Sequence, residues 1–306
     1  MPFVQQKITN FATNYVSDKT QTKVEIERLF VTYLGAARIE GLYLEDKNKD
    51  TLLYAKSIVV DVAWAPILDG FYKVKNVSLS GLRAKVHNNK DSVFNYEFLI
   101  DAFANDSTAK KTESKKAVED SAKSKKPLPF SIADVKLSDI RANYLDVVST
   151  MDVKLALGKL DMSIEQLLFD SLKFDINSLE VDALKFSYKQ VKKATSQEDS
   201  TSGKLPTIKV DALSLTDIGI NYEAVYDSLF LSASWTDLSL DEAEINLEDQ
   251  KITAKQLINK QSFFNLQMAA VGSTDEKEDK LEEETTFTLP DWEVSLGTLD
   301  FELDRL

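Results

Sequence analysis

Long stretches of this sequence alternate apolar and polar residues at period two. "KVEIERLFV", "YKVKNVSLSGLRAKVH", "DALKFSYKQ" and "SLFLSASW" all do so. Successive side chains of a strand point to opposite faces, so each stretch makes one dry face and one wet face. The pattern runs on beyond Val24 and predicts a mainly β chain built on a large, one-faced antiparallel sheet. In "DVKLALGKLDM" the dry side holds Val153, Leu155 and Leu157. In "DALKFSYKQ" it holds Leu184, Phe186 and Tyr188, and in "SLFLSASW" Leu229, Leu231, Ala233 and Trp235. Such a face must meet something. A second sheet is the general solution. A sheet bent into a wide trough is another, with apolar ligands where side chains cannot fill it.

The second half repeats itself. "PLPFSIADVKLSDIRANYLD" aligns with "KLPTIKVDALSLTDIGINYEA", and "TLPDWEVSLGTLDFELDRL" begins the pattern again. Pro129, Pro206 and Pro290 mark the units at spacings of 77 and 84 residues. Each unit opens with Leu-Pro, then a strand, a Leu-x-Asp-Ile-like step and another strand. A polar loop precedes each, at 105–126, 189–204 and 272–286. Repetition at this scale means units stacked side by side with several strands each.

Few segments read as helix. Residues 3–17 place Phe3, Val4, Ile8, Phe11, Tyr15 and Val16 on one helical face. This segment either covers one end of a core or is the juxtamembrane end of an anchoring helix. "DSVFNYEFLIDAF" shifts to three- and four-residue spacings, with Asn95 where an N-cap belongs. Segments 163–169 and 254–266 are the other short helices expected.

Composition narrows function more by exclusion. The net charge of −13 repels phosphate backbones, so nucleic acid is not an expected partner. There is no cysteine, hence no thiol nucleophile, disulfide or zinc–thiolate site. No run approaches the roughly 18–20 apolar residues of a membrane span. The one histidine, His87, stands beside an Asn-Asn turn without a recognisable catalytic constellation. Glycosidase-type or metal-type pairing remains open for acidic pairs such as Glu45-Asp46 and Asp241-Glu242, which are expected in solvated turns. "DKNKDT" at 46–51 lacks the sixth-position Gly and distal Glu of a calcium loop and reads as a polar hairpin. The expectation is a binding or structural protein, not an enzyme, with no metal and no cofactor.

The order of these pieces resembles the TamB/AsmA-like envelope proteins, and in turn style their Bacteroidota branch. "PFVQQKITNFATNYVSDKTQTKVEIERL" looks like the start of that family. "GLYLEDKNKDTLLYAKSIVVDV" and "VKNVSLSGLRAKVHNNKDSVFNYEFLIDAF" are similar to its next segments, and the Leu-Pro units to its later ones. The match spans most of residues 2–306 in pattern and is most specific over 2–103.

The resemblance implies a long twisted antiparallel sheet curled into an open trough, a β-taco with a chorein-like groove and a few short helices. Its division would be an N-terminal helix (1–20), a first β unit with a closing helix (21–104), a disordered linker (105–126), two β repeats (127–203 and 204–287) and the start of another (288–306). It implies a non-enzymatic, periplasmic protein anchored in the inner membrane through a helix preceding Pro2. Its work would be phospholipid transport between inner and outer membrane in outer-membrane biogenesis. Alternatives are a translocation and assembly scaffold acting with an outer-membrane barrel protein of the Omp85 type, and a structural β-solenoid with a filled core. Groove candidates are Val153, Leu155, Leu157, Leu184, Phe186, Tyr188, Leu229, Leu231, Trp235 and Trp292. Phe98, Leu99, Ala102 and Phe103 would form a lid helix across the groove.

Overall fold

A computed structural model describes residues 2–32, 36–63, 72–108, 130–168, 171–192, 205–268 and 292–305. Helix α1 (Pro2–Thr20) leads into strands β1 (Val24–Val31), β2 (Ala36–Glu45), β3 (Thr51–Ala63) and β4 (Tyr72–His87). Helix α2 (Glu97–Thr108) follows. Then come β5 (Phe130–Asp146), β6 (Met151–Leu168), β7 (Lys173–Gln190), β8 (Thr207–Ala224), β9 (Leu229–Asn246), β10 (Lys251–Met268) and β11 (Glu293–Arg305). All eleven strands form one open sheet in sequence order, β1 to β11.

The sheet is mixed, which corrects the antiparallel expectation. β4–β5, β7–β8 and β10–β11 pair in parallel, and the other neighbours are antiparallel. The repeat explains this. Three strands run back and forth, and the chain then returns to the starting end before the next three. The 77-residue spacing is this three-strand unit plus its return. The linker expected at 105–126 begins inside α2, which extends to Thr108, and its remainder lies outside the described residues.

Two expected helices are strands. Segment 163–169 lies largely in β6, and 254–266 lies wholly in β10. In 254–266 the helix-like spacing has a specific cause. Near its middle, each strand from β1 to β10 breaks period two with a four-residue step. The steps are Ile26–Leu29, Ile39–Leu42, Ala55–Ile58, Leu79–Leu82, Leu137–Ile140, Leu157–Leu160, Val181–Leu184, Leu215–Ile218, Trp235–Leu238 and Asn259–Ser262. Register aligns every step with its neighbours. An extra residue in one strand is a β-bulge. Here every strand takes the extra residue at the same level, so pairing survives and a crease crosses ten strands.

The crease has a direction. Gly41, Gly81, Asp139, Ala183, Asp217 and Gln261 lie on it with left-handed backbones, φ between 49° and 64°. They belong to β2, β4, β5, β7, β8 and β10, which all run the same way. Strands running the other way carry Glu27, Lys56, Gly158 and Thr236 at this level, without positive φ. Glycine takes this backbone freely, whereas other residues are held in it by their surroundings. At Gly81 a Cβ would come within 2.6 Å of the Lys56 Cβ.

The helices sit at the β1 end of the sheet. α1 packs on β1, and α2 touches α1. The Leu29 N–H donates to the buried Thr9 hydroxyl oxygen at 3.0 Å, which satisfies a donor on the outer edge of β1. The helix therefore docks partly through threonines, and Phe11 is 73% exposed. Asn95 does not cap α2. Its side-chain oxygen accepts from the His87 N–H and its amide donates to the Lys85 carbonyl, tying the segment to β4. Glu97, the first residue of α2, instead reaches back with its carboxylate to accept from the Phe94 N–H at 2.9 Å.

Candidate functional site

The crease sets the positions of the groove candidates. Alternation resumes on either side of it with the parity shifted by one, so apolar residues before and after it share a face. One apolar row borders the crease: Leu42, Ala55, Leu82, Ile140, Leu157, Leu184, Ile218 and Trp235. The row on its other side passes through Leu79, Leu137, Leu160, Val181, Leu215 and Leu238. Ile140, Leu157, Val181 and Ile218 are buried between them and form the centre of the apolar cluster.

Register brings nine of the ten groove candidates onto this face. Val153 opposes Tyr188, Leu155 opposes Phe186, and Leu157 opposes Leu184. Beyond β8, Tyr222 opposes Leu231, Ile218 opposes Trp235, and Ala224 opposes Leu229. Tyr188 stacks on Tyr222 with ring centroids 4.7 Å apart and planes 5° apart. Burial, and then the neighbouring Tyr222, push the Tyr188 phenol above its ordinary value. Trp292 is not brought to this group. It precedes Glu293, which pairs with Lys251, whereas Leu229 pairs with Met268 at the other end of β10.

No second layer covers the face among the described residues. Substantial strand contacts join only sheet neighbours, and the helices stay at the β1 end. Most candidates are half-buried, by lateral packing within their own sheet. The lid candidates lie with α2. Phe98 is half-buried beneath the Lys47 ammonium, 5.1 Å from its ring centroid, Leu99 and Ala102 are half-buried, and Phe103 is 37% exposed.

The row ends in a polar pair. Asn259 and Ser262 occupy the apolar positions of the β10 step and are both buried. The Asn259 amide donates to the Ser262 hydroxyl oxygen at 2.8 Å, and its own side-chain oxygen has no partner. Alternation alone does not reveal this interruption, although "NKQS" stands where other strands read "LTDI" or "WTDL".

The opposite face is charged. Arg83 grips Asp139 on the crease with Nη2 at 2.9 and 2.7 Å from the two carboxylate oxygens. Lys185 holds Asp217 at 2.6 Å in the equivalent place one repeat later. The Arg83 hydrogen bonds keep the Asp139 carboxyl below its ordinary value. The hairpin at 46–51 closes on the buried Asp46, whose carboxylate accepts from the Asn48 and Asp50 N–H groups. Among the described residues no three His, Cys, Asp or Glu side chains gather as a metal set, and no helix is long and apolar enough to cross a membrane. No family model and no curated protein matches the chain.

Proposed function

We propose that the sheet curls about its crease into an open trough whose apolar face binds phospholipid acyl chains and conducts them between inner and outer membrane. The observation that carries this reading is the apolar face itself. Continuous rows of Leu, Ile, Val and Trp cross the strands, and among the described residues no second layer lies over them. Ten strand spacings of about 4.8 Å give a path of about 48 Å across the sheet. Burying an acyl chain gains about 0.8 kcal/mol per methylene. A continuous row replaces each lost contact with an equivalent one, so sliding needs no covalent chemistry. Bulges bend strands and raise their twist, which favours curling at the crease. The protein acts without catalysis, in the periplasm and anchored to the inner membrane, as the sequence resemblance implies.

The test is photocrosslinking with a phospholipid that carries a diazirine in its acyl chain. Adducts are expected at Leu155, Phe186 and Leu231 but not at Ser187 or Asn221. Equal labelling of both faces, or none, refutes the reading.

One observation favours a scaffold role alongside transport. β11 ends the sheet among the described residues, and Val294, Leu299 and Phe301 on it are more than half exposed. A strand from a client of the barrel partner could pair there. Disulfide trapping of a model strand peptide at β11 tests this, and trapping at β1 alone excludes it. The filled-core solenoid needs a second layer that the described residues do not supply.

A further inference from the structure

Beside the crease, on the face opposite the apolar rows, lies a cavity of about 340 Å³. Five cations and no carboxylate line it: Arg83, Lys85, Arg141, Lys154 and Lys185. In a chain of net charge −13 this local sign is unusual. A second cavity on the same face has the opposite character, with Asp211, Asp241, Glu242 and Glu244 around Lys209 and Lys255.

Register explains how the basic cavity is built. Arg83 and Arg141 are direct partners on β4 and β5, Arg141 opposes Ala156 on β6, and Ala156 opposes Lys185 on β7. The short Ala156 side chain makes a low floor between Arg141 and Lys185, two strand spacings or about 10 Å apart. Lys154 stands farther along β6, and Asn143 and Ser187 flank it with hydrogen-bonding groups. Like charges placed directly opposite in a sheet are destabilising. The Arg83–Arg141 pairing is therefore unfavourable unless an anion offsets it.

Resident carboxylates offset only part of this charge. Arg83 pairs with Asp139, Lys185 with Asp217 and Lys154 with Asp152. Arg141 and Lys85 form no ion pair within 4 Å among the described residues, although the Asp139 carboxylate held by Arg83 also feels the Arg141 charge. Two positive charges remain, one of them a guanidinium with its fork free. A planar fork beside an ammonium matches the oxygens of a phosphate group. The volume falls within the usual range for small-molecule pockets.

We infer that this cavity binds a phosphate-type anion, either free or as the head group of an anionic lipid. The site lies on the face away from the acyl-chain rows and stands independently of the transport reading.

The experiment uses the whole chain and the double variant K85Q/R141Q, which breaks no ion pair found in the structure. Circular dichroism confirms that the variant keeps its sheet. Calorimetric titration with inorganic phosphate is one arm, and sedimentation with phosphatidylcholine vesicles with or without phosphatidate is the other. Loss of charge-assisted hydrogen bonds weakens binding about tenfold or more. That loss is expected in the double variant and not in K209Q, at the acidic cavity. Phosphate binding points to a free ligand, and binding only to phosphatidate vesicles points to a head group. The inference is overturned if neither probe binds, or if the double variant binds as the wild type does.

Discussion

Gly81 and Asp139 lie at the same level of adjoining parallel strands, and both have left-handed backbones, with φ of 64° and 51°. The pairing is one link of a crease that crosses ten strands and decides which side chains share a face. Because glycine takes this conformation freely and a Cβ adds strain to it, single substitutions on the crease should act in opposite directions. G81A should destabilise by about 2 kcal/mol, since its Cβ also meets Lys56. A183G should be neutral or stabilising, by up to about 1 kcal/mol. Urea denaturation midpoints of both variants check this. Equal losses would show that the crease tolerates either residue.

Deleting a crease residue is a stronger perturbation. Removing Asp217 shifts the parity of β8 beyond it, which turns Ile218, Ile220 and Tyr222 toward the charged face. The D217A point variant removes only the Lys185 ion pair and, exposed as that is, should change stability by less than about 1 kcal/mol. Limited proteolysis should cut the deletion variant quickly and leave D217A resistant.

The polar end of the row offers an independent test. The Asn259 side-chain oxygen is buried without a partner, which is unfavourable by about 1–3 kcal/mol for such a group. N259L should therefore stabilise the sheet by about 1 kcal/mol, and S262A should destabilise it by removing the nearer of the two acceptors of the amide, the Glu302 carbonyl at 3.4 Å being the other. Thermal melting of the two variants separates these signs.

Acid should loosen the join between β4 and the β5–β6 turn. Burial raises the Asp146 carboxyl, but hydrogen bonds from Ser149, Asn88 and the Ser149 and Val148 N–H groups outweigh it and hold it below its ordinary value. A depressed carboxyl stabilises the fold above its unfolded pKa and loses that contribution as pH falls through the folded value. D146N should thus be less stable than the wild type at neutral pH. The difference should shrink as the pH falls through the depressed value of the Asp146 carboxyl. Stability measured across pH 2–7 checks the convergence, and a gap independent of pH would assign Asp146 a purely steric role.

Period two was legible in the groove-candidate runs, which lie on one side of the crease. Leu184, Phe186 and Tyr188 follow Ala183 directly, and Leu229 to Trp235 precede Thr236, so simple alternation placed them together correctly. It failed where a reading frame crossed the crease. In 254–266 the step from Asn259 to Ser262 imitates helical spacing, although its register belongs to a strand. The step was written in the sequence as "LSGL", "LSDI", "LTDI" and "WTDL". Only strand pairing turns those separate tetrads into one line. The parallel junctions were hidden for a related reason, since alternation fixes facing and says nothing of strand direction. The basic cavity was invisible because Arg83, Arg141 and Lys185 are far apart in sequence and meet only through three strand pairings.

The central claim concerns what lies on the apolar face. Its most direct test is the number of phospholipids per chain, measured by native mass spectrometry and lipid extraction after gentle purification. L184D places a charge in the row beside the crease, and S214D places one on the opposite face. The account predicts bound phospholipid on the wild type and on S214D, with loss from L184D while its circular dichroism keeps the β signature. A lipid-free wild type that also fails to take up added phospholipid, or an L184D variant as fully loaded as the wild type, would contradict it.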